Sequence, residues 1–251
     1  MANYKVPTSL LSTNNDKTIK GEKKGYITYI MYLAPHTQNS KGINLCSHAS
    51  KGCAKACLFN SGAARFDRVQ NGKINKTEYY LANRKNFMLK LHNEITKIEA
   101  KFKDSDTIPT VRLNGTSDIP FEKFKIVDDK NIFELHPNIQ FYDYTKNYLR
   151  FEKELPKNYH LTFSMSEDNK DICFDLLSKG HNVAMVFAVK NENELPTEYQ
   201  GYKVINGDED DLRFLDEQNV IVGLKYKYLT GKNTKGVNKE NLETNDFIIK
   251  L

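Results

Sequence analysis

Three cysteines with the potential to bind a metal lie close together in the first quarter of the chain. Cys46, Cys53 and Cys57 fall within twelve consecutive residues of the segment LCSHASKGCAKACL, which spans residues 45–58. Six residues separate the first two cysteines and three separate the last two, so Cys53 and Cys57 fit one face of a helical turn. An odd number of thiols cannot all pair in disulfides. Three thiolates can instead hold three irons of a [4Fe–4S] cluster and leave the fourth iron to another ligand.

A zinc site and the absence of any metal are the two alternatives to an iron–sulfur cluster. Zinc also binds thiolates, and His48 or His36 would complete a Cys3His set, although the paired C-x-x-C elements of most zinc modules are missing. Alternatively, the three cysteines hold no metal and are neighbours by chance, which is hard to sustain in a chain with only four cysteines. The fourth, Cys173, lies in the apolar pattern of a helix, where we expect a buried hydrophobic residue.

The composition is that of a globular protein without a membrane span. Hydrophobic residues make up 39% of the chain and charged residues 27%, and no apolar stretch is long enough to cross a bilayer. The N-terminal residues lack the apolar core of a signal peptide, so we expect a cytoplasmic protein whose cysteines are free or metal-bound. The net charge of +5 indicates a lysine-rich surface, and no RNA-binding aromatic signature or helix-turn-helix pattern points to nucleic acid.

Strand-like runs alternate with helical patterns along the chain. A long helix is predicted from about Lys76 to Phe102, with Asn75 and Glu78 as its capping box. The other predicted elements are strands at 26–33, 109–113, 139–144, 159–165, 182–189, 202–205 and 220–224, an amphipathic stretch at 148–155, a helix at 172–179 and an edge strand at 247–251.

This alternation predicts an α/β fold with parallel strands. Right-handed crossovers would curl the strands into a full or partial (β/α) barrel, and an open doubly wound sheet is the alternative. We interpret residues 1–251 as one barrel-like domain, with the cysteine loop at 45–58 and a C-terminal tail at 229–251. The oligomeric state does not follow from the sequence.

Polar residues follow the predicted strands at the end where parallel sheets bind ligands. Any one such loop is polar simply because it meets water. However, the cysteine loop follows the first strand at that same end, which favours a shared site for a small cofactor or substrate. The polar stretches that we expect to line this site together with the cysteines are 114–118, 144–147, 164–167, 190–191, 206–211 and 225–227.

The cysteine loop resembles that of the radical S-adenosylmethionine (radical SAM) superfamily, in which three cysteines after the first barrel strand bind a [4Fe–4S] cluster. S-adenosylmethionine chelates the fourth iron there. The usual spacing in that superfamily is three then two residues, whereas here it is six then three, and its Gly-Gly-Glu-like stretch corresponds here to Asn-Gly-Thr-Ser-Asp at 114–118. The resemblance implies two groups of cofactor-binding residues: Asn114, Ser117 and Asp118 at the amino-acid part, and Tyr144, Lys146, Ser164 and Asp208 along the pocket.

The chain is also similar to an uncharacterised family of bacteriophage proteins. The segments that carry this resemblance are 45–62, 112–118, 142–146, 206–213 and 222–225. The resemblance implies a phage origin, and hence the cytoplasm of an infected host cell, without implying a reaction.

Two functions from different classes follow from these features. In the first, the protein is an enzyme in which the reduced cluster cleaves S-adenosylmethionine to a 5′-deoxyadenosyl radical that abstracts hydrogen from a substrate. In the second, it is a non-catalytic iron–sulfur protein that transfers electrons, senses redox state or forms part of a phage structure. The unusual cysteine spacing and the missing Gly-Gly-Glu stretch favour the second function. The sequence identifies neither a catalytic residue nor a substrate.

Overall fold

The computed structural model describes residues 4–13, 16–231 and 234–251 and has a mixed α/β architecture. Its helices are α1 (Asp16–Glu22), α2 (Lys51–Lys55), α3 (Asp67–Ala82), α4 (Arg84–Phe102), α5 (Ile132–Leu135), α6 (Lys170–Ser178) and α7 (Thr234–Thr244). Its strands are β1 (Leu11–Ser12), β2 (Tyr26–Met31), β3 (Ile108–Arg112), β4 (Gln140–Thr145), β5 (Tyr159–Ser164), β6 (Val183–Phe187), β7 (Glu198–Tyr199), β8 (Tyr202–Asn206), β9 (Ile221–Lys225) and β10 (Ile248–Ile249). The predicted α/β class is confirmed.

The strands form one ten-stranded, mostly parallel sheet. Its order is β1-β2-β3-β4-β5-β6-β9-β8-β7, and β10 pairs with β6 beside this path. The seven strands from β2 to β8 in that order are parallel to their neighbours, whereas the short strands β1 and β7 pair antiparallel. Among the residues that the structure describes, no ladder joins the two ends of the sheet. The sheet is therefore not closed, and the predicted barrel stays a prediction.

Strand β10 does not lie at an edge, in contrast to the prediction for residues 247–251. It pairs in parallel with the end of β6, where Ile248 faces Val186 and Ile249 faces Phe187. This position is open because β5 pairs only with the first two residues of β6. The C-terminal segment therefore pairs with β6 where the pairing with β5 stops, and it lies at the carboxyl ends of the central strands.

The predicted long helix is two helices, because Asn83 interrupts it. Asn83 ends α3 by donating its backbone N–H to the Tyr79 carbonyl, and its side-chain oxygen accepts from the backbone N–H of Asn86 as the N-cap of α4. The prediction that Asn75 and Glu78 cap a helix is therefore wrong. Asn75 instead bonds the backbone of Lys5, which holds the N-terminal segment against the middle of α3.

Helix α4 covers one face of the sheet with the apolar stripe predicted from the sequence. Phe87, Leu91, Ile95 and Ile98 are buried in the largest core cluster, which includes residues of β2 to β5. Phe102, at the end of the stripe, packs edge-on against Tyr29 at 6.3 Å between ring centroids. This face of the sheet is therefore a hydrophobic core.

The segment after β8 covers the opposite face of β2, β3 and β4. Phe214 lies 5.4 Å from the ring of Tyr26 and 5.5 Å from that of Tyr142, and Asp211 accepts a 2.7 Å hydrogen bond from Arg112. Because large side chains fill both faces of these strands, a ligand site is expected at their carboxyl ends.

Replacing Asn83 by alanine should lower the free energy of unfolding by about 1 kcal/mol, because the N-cap acceptor of α4 is lost. Urea unfolding followed by circular dichroism measures this change. Asn83→Asp is the matched control, since aspartate keeps an acceptor oxygen. An alanine variant with an unchanged unfolding midpoint would show that the cap does not stabilise this junction.

Candidate functional site

The cysteine loop follows β2 and is pinned to the loop after β3. The backbone N–H of Leu45 donates to the His36 carbonyl at 3.2 Å, and the N–H of Asp118 donates to the Leu45 carbonyl at 2.9 Å. Further along, Ser50 caps α2 and accepts a 3.1 Å hydrogen bond from the backbone N–H of Cys53. The loop thus has a defined path at the carboxyl edge of the sheet.

A single carboxylate, that of Glu167 after β5, holds the start of α2. It accepts hydrogen bonds from the Ser50 hydroxyl and from the backbone N–H of Gly52, both at 2.6 Å. Burial alone would raise the pKa of Glu167, but these hydrogen bonds outweigh it and lower the pKa. An ionised Glu167 therefore fixes the turn that carries Cys53.

Asn245, just before β10, holds the same turn from the other side. Its amide nitrogen donates to the Gly52 carbonyl at 3.0 Å, and its oxygen accepts from the backbone N–H of Phe247. A Cβ atom at Gly52 would lie 2.3 Å from the Asn245 oxygen and 2.8 Å from both carboxylate oxygens of Glu167. Position 52 therefore needs glycine because two side chains approach its backbone closely.

The three thiols of the loop are free, partly buried and close enough to interact. Burial is the main cause that raises the pKa of Cys46 to about 12, and the charges of Cys57, Asp118 and Cys53 contribute to the rise, whereas a backbone hydrogen bond from His36 opposes it. Burial also raises the pKa of Cys57, and Cys53 adds to that effect. Cys46 and Cys57 are therefore protonated at neutral pH, and a bound metal centre would have to displace their protons.

The three cysteines do not form a metal-holding group in the described part of the chain. Among the residues that the structure describes, no group of three or more His, Cys, Asp or Glu side chains is arranged to hold a metal ion. His48 contacts the neighbouring Ser47 hydroxyl through Nδ1 at 3.0 Å. A zinc ion needs its donors around one centre, whereas a [4Fe–4S] cluster takes each thiolate on a different iron. The cluster and the zinc alternative therefore both stay predictions.

The structure places Asn114, Ser117 and Asp118 next to the cysteine loop, but their polar atoms are already engaged. Asn114 bonds Asp143 and the backbone of Ile119, and its oxygen also accepts from the Ser117 hydroxyl at 2.9 Å. The carboxylate of Asp118 accepts hydrogen bonds from the Thr145 hydroxyl, the Lys146 backbone N–H and Arg150. These three side chains therefore shape the loop after β3, and the carbonyl oxygen of Thr116 in that loop accepts from the Cys46 thiol at 3.6 Å.

Lys146 and Ser164 also lie beside the site. The Lys146 ammonium donates to the Ser164 hydroxyl at 2.6 Å and lies 5.2 Å from the ring centroid of Phe247. Its charge also acts on Glu167, whose pKa it helps to lower. An ammonium has three donors, so Lys146 keeps the capacity to bind an anionic group here.

Tyr144 and Asp208 contact other parts of the molecule. Tyr144 is on the face covered by the segment after β8, where the Arg112 guanidinium lies 4.7 Å from its ring centroid. Asp208, after β8, accepts a 2.7 Å hydrogen bond from the backbone N–H of Lys225 and forms an ion pair with Lys227. These contacts are made with β3 and with the end of β9, so they give no geometric support to a role beside the cysteines.

Three residues of the site were missed by the sequence interpretation. Glu167 belongs to the same polar stretch after β5 as Ser164, so its position was a usable signal. Asn245 had no local signal, because its contact depends on the pairing of β10. Lys73 looked like one of many surface lysines, yet only 7% of its surface is exposed, and its ammonium lies 5.3 Å from the ring centroid of Phe59, two residues after Cys57.

Replacing Gly52 by alanine should lower the free energy of unfolding by about 1–3 kcal/mol, because the new methyl group must displace Asn245 and Glu167. Chemical denaturation measures the change. Gly72→Ala is the matched control, since position 72 is an exposed site in α3 with open space around a Cβ, and alanine should there raise stability by up to about 1 kcal/mol. Equal effects at both positions would contradict the proposed close contact at Gly52.

Comparison with known proteins places the chain in a family without indicating an activity. No curated protein and no solved structure matches the chain significantly. None of the described helices is long and apolar enough to cross a membrane. A family model described as Gene product 88 matches residues 9–240, and it carries no sign of an iron–sulfur or radical SAM relationship. Because the match covers most of the 251 residues, the chain belongs to the Gene product 88 family, a phage-type protein family.

Proposed function

We propose that this protein is a phage-type iron–sulfur protein in which Cys46, Cys53 and Cys57 hold a [4Fe–4S] cluster. The supporting observation is the trio of free thiols within twelve residues, on a loop that Glu167 anchors at the carboxyl edge of a parallel sheet. Thiolates are soft ligands that suit iron–sulfur clusters. The proposed place of action is the cytoplasm of the infected host cell.

The remaining cysteine is not a fourth ligand in this proposal. Cys173 is fully buried in α6, and its thiol lies 3.4 Å from the side-chain oxygen of Asn169. Burial raises the pKa of Cys173 to about 12, as expected of a thiol in the core. One iron would therefore take a ligand other than a thiolate.

Whether the protein is an enzyme or a non-catalytic protein depends on which ligand that iron takes. S-adenosylmethionine, when bound and reduced by one electron, supplies a 5′-deoxyadenosyl radical. In such an enzyme Lys146 would bind the carboxylate of the ligand, and Ser164 would hold the Lys146 ammonium in place. The cysteine loop and the loop after β3 would limit the access of water.

The engaged side chains after β3 favour the non-catalytic alternative. Asn114, Ser117 and Asp118, the residues expected to hold the amino-acid part of S-adenosylmethionine, already bond other protein groups. Binding the cofactor through them would break buried hydrogen bonds, at a cost of about 1–3 kcal/mol for each polar group left unpaired. A protein that transfers electrons, senses redox state or forms part of a phage structure needs no such rearrangement.

Anaerobic reconstitution with iron and sulfide should give a brown protein that absorbs at about 400 nm, the broad thiolate-to-iron band. Cys46→Ala, Cys53→Ala and Cys57→Ala should each lose most of the bound iron, measured by metal analysis. Cys173→Ala is the control and should keep the cluster, because its thiol lies in the core. A colourless, iron-free wild-type protein, or one that binds zinc tightly instead, would overturn the proposal.

Adding S-adenosylmethionine to the reduced cluster should leave its electron paramagnetic resonance spectrum unchanged and yield no 5′-deoxyadenosine, because the expected binding groups are engaged. Cyanide, a small strong ligand for an open iron, serves as the positive control and should alter the spectrum. A spectral change with S-adenosylmethionine, together with 5′-deoxyadenosine, would instead identify a radical SAM enzyme.

A further inference from the structure

Two histidines and a glutamate form a continuous hydrogen-bonded chain between α4 and the residue that ends α5. Nδ1 of His136 lies 2.6 Å from Oε2 of Glu99, and Nε2 of His136 lies 2.9 Å from Nδ1 of His92. The two imidazole rings are 4.9 Å apart between their centroids. His136 is only 1% exposed, whereas His92 and Glu99 are half-buried. A buried imidazole is therefore held between two groups of α4 that reach the protein surface.

The hydrogen-bond partners fix the proton positions in this chain. A carboxylate only accepts hydrogen bonds, so Nδ1 of His136 carries a hydrogen and donates it to Glu99. Nε2 of a neutral His136 is then an acceptor, and His92 donates to it from Nδ1. Nε2 of His92 keeps a lone pair that bonds no group in the described part of the chain. Two neutral imidazoles and one carboxylate thus satisfy one another.

The two imidazoles can take up one further proton but not two. The first proton binds Nε2 of His92, and every hydrogen bond stays in place because Nδ1 of His92 remains a donor. The carboxylate of Glu99 balances the resulting charge. A second proton can bind the imidazoles only at Nε2 of His136, where two N–H donors would then face each other at 2.9 Å and two cations would share one carboxylate. The hydrogen bond between the two histidines is then lost.

The other elements packed against His136 supply no second counter-ion. Among the described residues, Glu99 and His92 are the titratable groups whose charges act on His136. On α5, the Glu134 carboxylate is engaged in the capping box at the start of that helix. The connection from β4 to β5 supplies Asn158, a neutral amide that donates to the His136 carbonyl at 2.9 Å. Charging both imidazoles therefore leaves one of the two cations without an anionic partner.

We propose that Glu99, His136 and His92 form a pH-sensitive junction, which holds the end of α5 against α4 while at most one imidazole is charged and releases it when both are. The segment that the junction controls is 131–139, which contains α5 and leads into β4. The inference does not depend on the iron–sulfur function, because none of the three groups belongs to the cysteine loop.

Acid weakens this junction rather than strengthening it. Burial lowers the pKa of His136 below its ordinary value of 6.5, and the charge of His92 adds to this shift, although Glu99 opposes it. The unfolded chain therefore binds a proton at His136 more readily than the folded protein does. The contribution of His136 to the free energy of unfolding is complete above about pH 6.5 and is lost progressively as the pH falls below that value.

The test compares His136→Gln and His92→Gln with His48→Gln in the metal-free protein. Glutamine stays neutral at every pH, and His48 is an exposed residue outside the junction. Urea unfolding midpoints are measured at about pH 7.5 and about pH 5.5. The midpoint should fall further on acidification in wild type and His48→Gln than in the two junction variants. In His92→Gln the amide oxygen can accept from a protonated His136, so the conflict between two donors disappears.

Proton–nitrogen NMR spectra of the histidine rings in wild type keep the proposal testable if a variant does not fold. At neutral pH both His136 and His92 should carry their hydrogen on Nδ1, and on acidification the first proton should appear on Nε2 of His92. Hydrogen exchange at 131–139, corrected for the intrinsic rate at each pH, should rise severalfold once His136 is charged. A hydrogen on Nε2 of His136 at neutral pH, unchanged exchange after both rings are charged, or equal acid effects in wild type and His92→Gln would each overturn the inference.

Discussion

The hydrogen bonds from Ser50 and Gly52 to the carboxylate of Glu167 hold the cysteine loop against the sheet. The helix that carries Cys53 has only five residues, too few to be stable by itself. Its position depends on groups outside it, and Glu167 supplies an acceptor for two donors at its start. The arrangement of the three thiols is therefore a property of the contact between two distant loops rather than of the cysteine segment alone.

A second set of buried polar contacts fixes the loop after β3, against which the cysteine loop packs. Arg150 forms two hydrogen bonds to the carboxylate of Glu122 and one to that of Asp118. Asp143, which is fully buried, accepts from Asn114 and from the Tyr159 hydroxyl. Burial raises the pKa of Asp143 to about 6, although the nearby Arg112 and these hydrogen bonds oppose the rise. Such a network gives the loop one conformation, and removing one charged partner would leave another unpaired in the interior.

Local patterns in the sequence predicted the main elements well. The interior strand β6 appeared as an almost continuous apolar run, and the stripe from Phe87 to Phe102 predicted the buried face of α4. The break at Asn83 was missed, because the apolar stripe that predicted the helix begins only at Phe87 and the cap involves one side chain. The pairing of β10 with β6 was also missed, since the short reach of β5 that makes room for it cannot be read from local sequence.

The candidate site was predictable only in part, because local patterns show which residues follow strands but not which distant segments they contact. Residues that follow strands, such as Asp118 and Lys146, were expected near the cysteines because parallel strands share a carboxyl edge, and the structure places them there. Tyr144 and Asp208 satisfied the same rule yet contact other segments. The rule does not say on which face of the sheet a side chain lies, or how far its strand is from β2 in the strand order. The burial of Lys73 depends on Tyr32 and Phe59, which come from separate segments, so no local pattern could indicate it.

The contact between Asn245 and Gly52 has a consequence for how the protein is made. The two residues are 193 positions apart, and a ribosome adds about 5–20 residues per second, so Gly52 is synthesised roughly ten to forty seconds before its partner. During that interval the cysteines are already outside the ribosome or near its exit, but Asn245, which holds Gly52, has not yet been synthesised. The contact between Asn245 and Gly52 can therefore form only after translation has passed Asn245, and until then Glu167 is the only one of the two side chains that can hold this turn.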